Sequence, residues 1–120
     1  MSLRALDPRA LRAALWAYRA VRTARRQLRE TGLEELRLPA LPDLPLSAGR
    51  GVAAVLRRQP HTCLERAIVL QRWRAAHGDP RDVVVGVRGP SQGFRAHAWL
   101  EDEAHLEDAA SFTELRRVRP

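Results

Sequence analysis

Apolar residues recur at steps of three and four through the first quarter of the chain, which predicts an amphipathic helix over roughly residues 8–31. Asp7 followed by Pro8 is typical of a helix start, and Gly32 is typical of a helix end. The arginines of this segment lie mostly off the apolar stripe, so one helix face is expected to be basic. The stripe expected to face the core consists of Leu11, Leu15, Tyr18, Val21 and Leu28.

Three prolines spaced three residues apart predict an extended connector over residues 38–47. Ser47 is then expected to cap a short helix, which Pro60 would stop. With 120 residues in all, the chain is expected to form one domain. Its parts would be a helical segment over residues 1–37, the connector, and the main core over residues 48–120.

A second strong helix signal begins at Thr62. Thr62 and Glu65 have the spacing of a capping box, which makes Thr62 the N-cap and Cys63 the first helical residue. Apolar residues fall at nearly every helical angle of the following segment, which is typical of a central, buried helix. Gly78 and Pro80 are expected to close it.

Strand signals fill the rest of the chain. The β-branched run Asp82–Val87 is followed by a turn-rich stretch and then by alternation over residues 94–101, with His97 and Trp99 on one face. An acidic turn leads to a last predicted strand over residues 105–108, and residues 111–120 are expected to form a short helix or tail. Helices followed by an antiparallel meander predict an α+β fold.

Charge is distributed unevenly along the chain. All 21 basic residues are arginine and the net charge is +7; residues 1–37 carry a surplus of five positive charges, whereas residues 63–120 balance. Lysine and asparagine are absent, and because their codons are AT-rich, their absence points to a GC-rich bacterial genome. Arg22 and Arg26 are candidates for docking an acidic peptide or a protein partner, and nucleic acid is the weaker alternative because no base-reading motif is present.

Cysteine usage and hydropathy bear on location. A single cysteine excludes an internal disulfide framework and favours a reducing, cytoplasmic compartment. No apolar run reaches the ~18 residues of a membrane span, and the first residues lack an apolar core, so neither a membrane partner nor a signal peptide is expected.

Cys63 occupies a helix position that suits a nucleophile. A lone cysteine on an apolar helix is most often a packing residue, and that interpretation stays open. The first helical turn, however, carries unsatisfied N–H groups and the positive end of the helix dipole, which favour a thiolate over a thiol. The Cys63 backbone N–H and the side chain of Gln59 are candidate donors to a substrate oxyanion.

A thiol nucleophile needs a general base, and four histidines are available. His97 is the candidate, because it lies mid-strand between two alanines that leave room for another element. His61 precedes the helix cap, His77 can bond the last carbonyls of its helix, and His105 faces the other way. A structural histidine bonded to backbone is the alternative interpretation of His97.

The hairpin after His97 selects the acid that could orient it. A two-residue or a four-residue loop within residues 101–104 places Asp108 directly opposite His97, with Cβ atoms about 5 Å apart. A three-residue loop would place Ala109 there instead. Because the turn lacks the glycine or asparagine of tight primed turns, the four-residue loop is favoured, and Glu107 then faces away. The prediction is a triad in the order Cys, His, Asp.

Three strings resemble the transglutaminase-like leader peptidases of lasso-peptide biosynthesis: CLERA at Cys63–Ala67, VGV at Val85–Val87 and FRAHAWLE at Phe94–Glu101. The resemblance covers roughly residues 50–115, and the cysteine string and the AHAW string occur in order at the expected separation. It implies a transglutaminase-like, papain-like core in which Cys63, His97 and Asp108 form the triad.

The resemblance also implies a biological setting. The enzyme would cut the leader from a ribosomally made precursor peptide, working beside a separate leader-recognition protein and an ATP-dependent cyclase that closes the lactam ring. No cofactor or metal is expected, since one cysteine and scattered histidines lack ligand spacing. The alternatives are a related thiol acyl-transferase or amidase using the same triad, and a non-catalytic peptide- or nucleic-acid-binding module.

Overall fold

The computed structural model describes residues 7–89, 95–103 and 112–120, and these residues form the expected α+β fold. They group into two compact units that divide between His61 and Thr62. The single domain over residues 1–120 stays a prediction. The described helices and strands are α1 (Pro8–Glu30), α2 (Gly49–Arg58), α3 (Cys63–Ala76), β1 (Val83–Arg88), β2 (Arg95–Leu100) and β3 (Thr113–Val118), with 3-10 turns at Leu33–Glu35 and Leu46–Ala48.

Helix α1 has the predicted ends. The Asp7 side chain accepts a hydrogen bond from the Arg9 backbone N–H at 3.0 Å, and Gly32 leaves the helix with a φ of 97°. Asp7 also pairs with Arg50 of α2, and this hydrogen bond holds the pKa of the Asp7 carboxyl below its usual value. No helix in the described ranges is long and apolar enough to cross a membrane.

The buried face of α1 differs from the predicted stripe. Leu11, Leu15 and Tyr18 are 49%, 52% and 39% exposed, so that prediction was wrong for these three. The reason is close helix packing: a Cβ added to Gly51 of α2 would lie 1.9 Å from the Ala10 carbonyl oxygen, a separation that only small residues permit. The residues buried on α1 are Ala10, Ala13, Trp16, Ala17, Ala20, Val21 and Ala24.

Residues 38–45 form neither helix nor strand, and Pro45 is extended, but the predicted extended connector ends in the 3-10 turn Leu46–Ala48. The Trp16 indole N–H donates to the Pro39 carbonyl at 3.0 Å. Ser47 does not cap α2, which corrects the sequence prediction. Ser47 lies within the 3-10 turn, and α2 follows that turn directly, with Ala48 at its N-cap and no side-chain cap. The 3-10 turn therefore replaces a side-chain cap, because the Gly49 N–H already donates to the Leu46 carbonyl at the start of the helix.

Helix α3 is anchored to the sheet by a buried amide. Gln71 is 1% exposed, and its Nε2 donates to the carbonyls of Arg81 at 2.9 Å and Val118 at 2.8 Å. One side chain thus satisfies two backbone acceptors, one just before β1 and one at the end of β3, which is how a buried polar group avoids a desolvation cost.

The described sheet has the order β2-β1-β3, with both pairings antiparallel. The β1–β2 hairpin is confirmed, but the short helix or tail predicted over residues 111–120 is wrong, because Thr113–Val118 forms β3. This strand is mostly exposed and gains its order from backbone pairing to the second edge of β1, which a hydropathy pattern does not reveal. The predicted strand over residues 105–108 lies outside the described residues.

Candidate active site

Cys63 is the first residue of α3, as the capping box predicts. The Thr62 hydroxyl accepts from the Glu65 N–H at 3.1 Å, and the Glu65 carboxylate accepts from the Thr62 N–H at 3.0 Å. Both bonds fix the first turn and leave the Cys63 N–H without an acceptor inside the helix. This end of α3 therefore offers a backbone donor and a positive dipole end to a negatively charged sulfur or oxyanion.

The Cys63 side chain is half-buried and packs against a cluster made by the α3 residue Ala67 with Val83, Ala98 and Leu100 of the sheet. Ala98 is the neighbour of His97 on β2. The apolar contact thus packs Cys63 against the α3-facing side of β2, whereas His97 projects from the other face of that strand. Cys63 is not fully buried, as a cysteine inside the core would be.

His97 lies in the middle of β2, directly opposite Gly86 of β1. Its ring stacks on Trp99, with centroids 5.7 Å apart and planes inclined by 24°, and lies 5.5 Å from the ring of Phe112. His97 and Trp99 share one face of the strand, as the alternation predicts, while Ala98 and Leu100 face the α3 cluster. Two aromatic rings therefore restrict the orientation of the imidazole.

Gly86 makes room for these rings. A Cβ built at this position would lie 2.9 Å from Cη2 of Trp99 and 3.1 Å from Cβ of Phe112. Any side chain here would push the aromatic rings that contact His97. The glycine of the VGV string is thus explained by close packing beside the candidate base.

A cavity of about 280 Å³ adjoins His97. It opens on the same sheet face as the aromatic rings and is bordered by the ends of β1 and β2. The described residues that line it are Arg88, Arg95, Ala96, His97 and Phe112. A substrate group in this cavity would contact the candidate base directly.

A salt bridge ties the nucleophile helix to the strand of His97. Arg66, one turn after Cys63, donates both Nη atoms to the Glu103 carboxylate at 3.2 and 3.1 Å. Glu103 follows β2 and also accepts the Leu100 backbone N–H at 2.7 Å. Such a bidentate pair fixes direction as well as distance. The helix start and the end of β2 are therefore held in one geometry.

The turn after β2 is partly described. The Glu103 N–H donates to the Leu100 carbonyl at 3.2 Å, and Asp102 adopts a φ of 63°, which aspartate tolerates better than most residues. The turn runs from Leu100 to Glu103 and so overlaps the predicted loop over residues 101–104. Asp108 and Glu107 lie outside the described residues, so the register that pairs Asp108 with His97 stays a prediction.

The other predicted site residues fall in the first compact unit. Gln59 is the exposed C-cap of α2, and its role as an oxyanion donor stays a prediction. Arg22 and Arg26 are exposed on α1 and border a basic cavity of about 510 Å³, where Arg22 lies over the Tyr18 ring at 5.7 Å. Their role in docking also stays a prediction.

Two of the competing histidines have structural contacts. His77 Nδ1 lies 2.7 Å from the Trp73 carbonyl at the end of α3, the contact expected for it, and His61 Nδ1 lies 2.9 Å from the Gln59 carbonyl. His105 is outside the described residues. No group of three or more His, Cys, Asp or Glu side chains in the described ranges is arranged to hold a metal ion.

Sequence reasoning missed Phe112, the Arg66–Glu103 pair and the arginines beside His97. The arginines could have been found, because pairing Gly86 with His97 places Arg88 opposite Arg95. Phe112 could not, since its segment was predicted as a helix or tail.

The helices and the antiparallel sheet agree with the family comparison. The chain belongs to the transglutaminase-like superfamily, whose core-domain model matches residues 5–118. That superfamily includes cysteine peptidases and transglutaminases. Comparisons with curated proteins and with solved structures gave no significant match.

Proposed function

We propose that the protein is a cysteine peptidase that removes the leader from a ribosomally made lasso-peptide precursor. The observation that carries the proposal is the placement of Cys63 at the capped start of α3, packed against the core of the strand that bears His97. Family membership supports thiol chemistry on an acyl group. The CLERA, VGV and FRAHAWLE strings support the narrower assignment to leader cleavage.

In the proposed reaction, the Cys63 thiolate attacks the scissile carbonyl carbon, and the Cys63 backbone N–H donates to the resulting oxyanion. His97 in its protonated form gives its proton to the leaving amine as the C–N bond breaks. This leaves an acyl-enzyme, with the leader joined to sulfur. His97 then takes a proton from water, which attacks the thioester and releases the leader and the free thiol. Asp108 orients the imidazole and stabilises its charged form.

The basic face of α1 is proposed to dock an acidic segment of the leader or of a separate recognition protein. Arg22 and Arg26 are exposed, and five arginines of α1 border the adjoining cavity. Positive charge of this density raises association rates with acidic partners at low salt. The cyclase that closes the ring would then act on the released core peptide.

The test uses a precursor peptide encoded beside this gene, incubated with the protein and analysed by mass spectrometry. Wild type is expected to give one cleavage at the leader–core junction, and Cys63→Ala to fold equally well and give none. Cleavage by Cys63→Ala would overturn the peptidase assignment. Transfer of the leader to an added amine, in preference to water, would instead identify the related acyl-transferase.

A further inference from the structure

Two arginines face each other across the β1–β2 pairing at the cavity beside His97. Arg88 and Arg95 are direct cross-strand partners, and both line the cavity. Like charges at directly opposed positions destabilise a sheet. A negative charge bound between the two guanidinium groups would relieve this repulsion.

No carboxylate of the described residues supplies that charge. Every ion pair found in the described part of the chain involves other arginines. The Nε of Arg88 is buried and lacks a hydrogen-bond partner there. The Arg88 guanidinium instead lies over the Phe112 ring at 5.2 Å, a cation–π contact that holds it at the cavity wall.

From this arrangement we infer that the cavity is an anion subsite that binds a carboxylate of the peptide substrate beside His97. The inference rests on the proposed peptidase function. Guanidinium groups present planar pairs of donors that match a carboxylate. Pockets for whole drug-sized ligands span about 300–1,000 Å³, so a cavity of about 280 Å³ suits a single side chain or chain end.

The carboxylate has two possible sources in a peptide, an acidic side chain and the terminal carboxyl group. Because hydrogen bonds to charged groups are the stronger ones, a peptide with Glu at the matching position is expected to be cleaved about tenfold more efficiently than its Gln counterpart. The difference is expected in KM, since the contact exists before and during the reaction. Salt is expected to reduce it.

The experiment measures cleavage of peptide libraries in which one position at a time is fixed as Glu or Gln, with free and amidated C-termini. Wild type is compared with Arg88→Gln, Arg95→Gln and the matched control Arg119→Gln, which removes an exposed arginine distant from the cavity lining. We expect the Glu preference in wild type and in Arg119→Gln, and its loss in the other two. Arg95 is exposed, so its variant is expected to fold even if Arg88→Gln is impaired. Dependence on a free C-terminus alone would assign the subsite to the terminal carboxyl group.

A binding measurement separates failure of this subsite from failure of the peptidase assignment. The same Glu and Gln peptides are titrated against Cys63→Ala, alone and combined with Arg95→Gln, by fluorescence anisotropy. Cys63-dependent cleavage with equal use of Glu and Gln, or a Glu preference that survives both arginine variants, would overturn the subsite and leave the peptidase standing. If no peptide is cleaved, the peptidase assignment fails. Binding of the Glu peptide that is tighter than binding of the Gln peptide, and that depends on Arg95, would then still support the subsite. Equal binding of the Glu and Gln peptides would reject it.

Discussion

Replacing Gly86 by alanine tests whether close packing of aromatic rings positions His97. The new Cβ would lie 2.9 Å from Cη2 of Trp99 and 3.1 Å from Cβ of Phe112. Favourable carbon contacts lie at about 3.5–4.0 Å, so the rings must move by roughly 0.5–1 Å. Overpacking of this kind costs about 1–3 kcal/mol. Alanine has fewer backbone conformations than glycine in the unfolded chain, and this offsets about 0.4–1 kcal/mol of that cost.

We therefore expect Gly86→Ala to lower the free energy of unfolding by about 1–2 kcal/mol, measured by urea denaturation. The catalytic effect is expected to be larger, because both displaced rings contact the imidazole. A shift of about 1 Å in a reacting group can cost about 100-fold in rate. Turnover of the precursor peptide, at a temperature where the variant stays folded, measures that effect.

Gly89→Ala is the matched control in the same hairpin. Among the described residues, a Cβ at Gly89 meets nothing within 4 Å. The stability of Gly89→Ala is therefore expected to change by no more than about 0.5 kcal/mol, and its turnover to stay at the wild-type level. If Gly86→Ala proved as stable and as active as this control, the packing explanation of the glycine and the positioning of His97 by its rings would both be refuted.

Three further predictions address the orienting acid, the basic helix and the tie between helix and strand. Asp108→Asn is expected to lower turnover by about 10³–10⁴-fold with little loss of fold, and Glu107→Gln to leave it unchanged; the reverse order would disprove the predicted facing. Reversal of Arg22 and Arg26 to glutamate is expected to raise KM at low salt, with the effect fading at high salt. An unchanged KM would make α1 purely structural. Glu103→Gln is expected to lower the free energy of unfolding by about 1–2 kcal/mol, because the carboxylate that is 12% exposed pairs with Arg66 and a backbone N–H. Thermal unfolding checks this, and an unchanged midpoint would contradict it.

Local signals in the sequence were sufficient for α3 and its cysteine. The Thr62–Glu65 capping box is a short-range pattern whose partners are three residues apart, and both of its hydrogen bonds are present. The β1–β2 hairpin was likewise readable from β-branched residues and alternation. Cys63 at the first helical position and His97 on a central stretch of β2 follow from these local features alone.

Features set by tertiary contact were not readable in the same way. Leucine outranks alanine in hydropathy, yet α1 buries alanines because Gly51 brings α2 within reach of the Ala10 carbonyl. Strand β3 has few apolar residues, and it forms by pairing with the edge of β1 that β2 leaves open. The contact between Phe112 and His97 is a consequence of that pairing, so it could not be anticipated without knowing where β3 lies.

The central claim is that Cys63 and His97 act as one unit, and a double-variant cycle on kcat/KM tests it most directly. The cycle compares wild type with Cys63→Ala, His97→Gln and the double variant on the precursor peptide, after each variant is shown to be folded. Residues that act together in one step are strongly non-additive. We expect each single variant to lose nearly all activity and the double variant to lose no more than either. Losses that multiply in the double variant, or substantial activity in His97→Gln, would contradict the account.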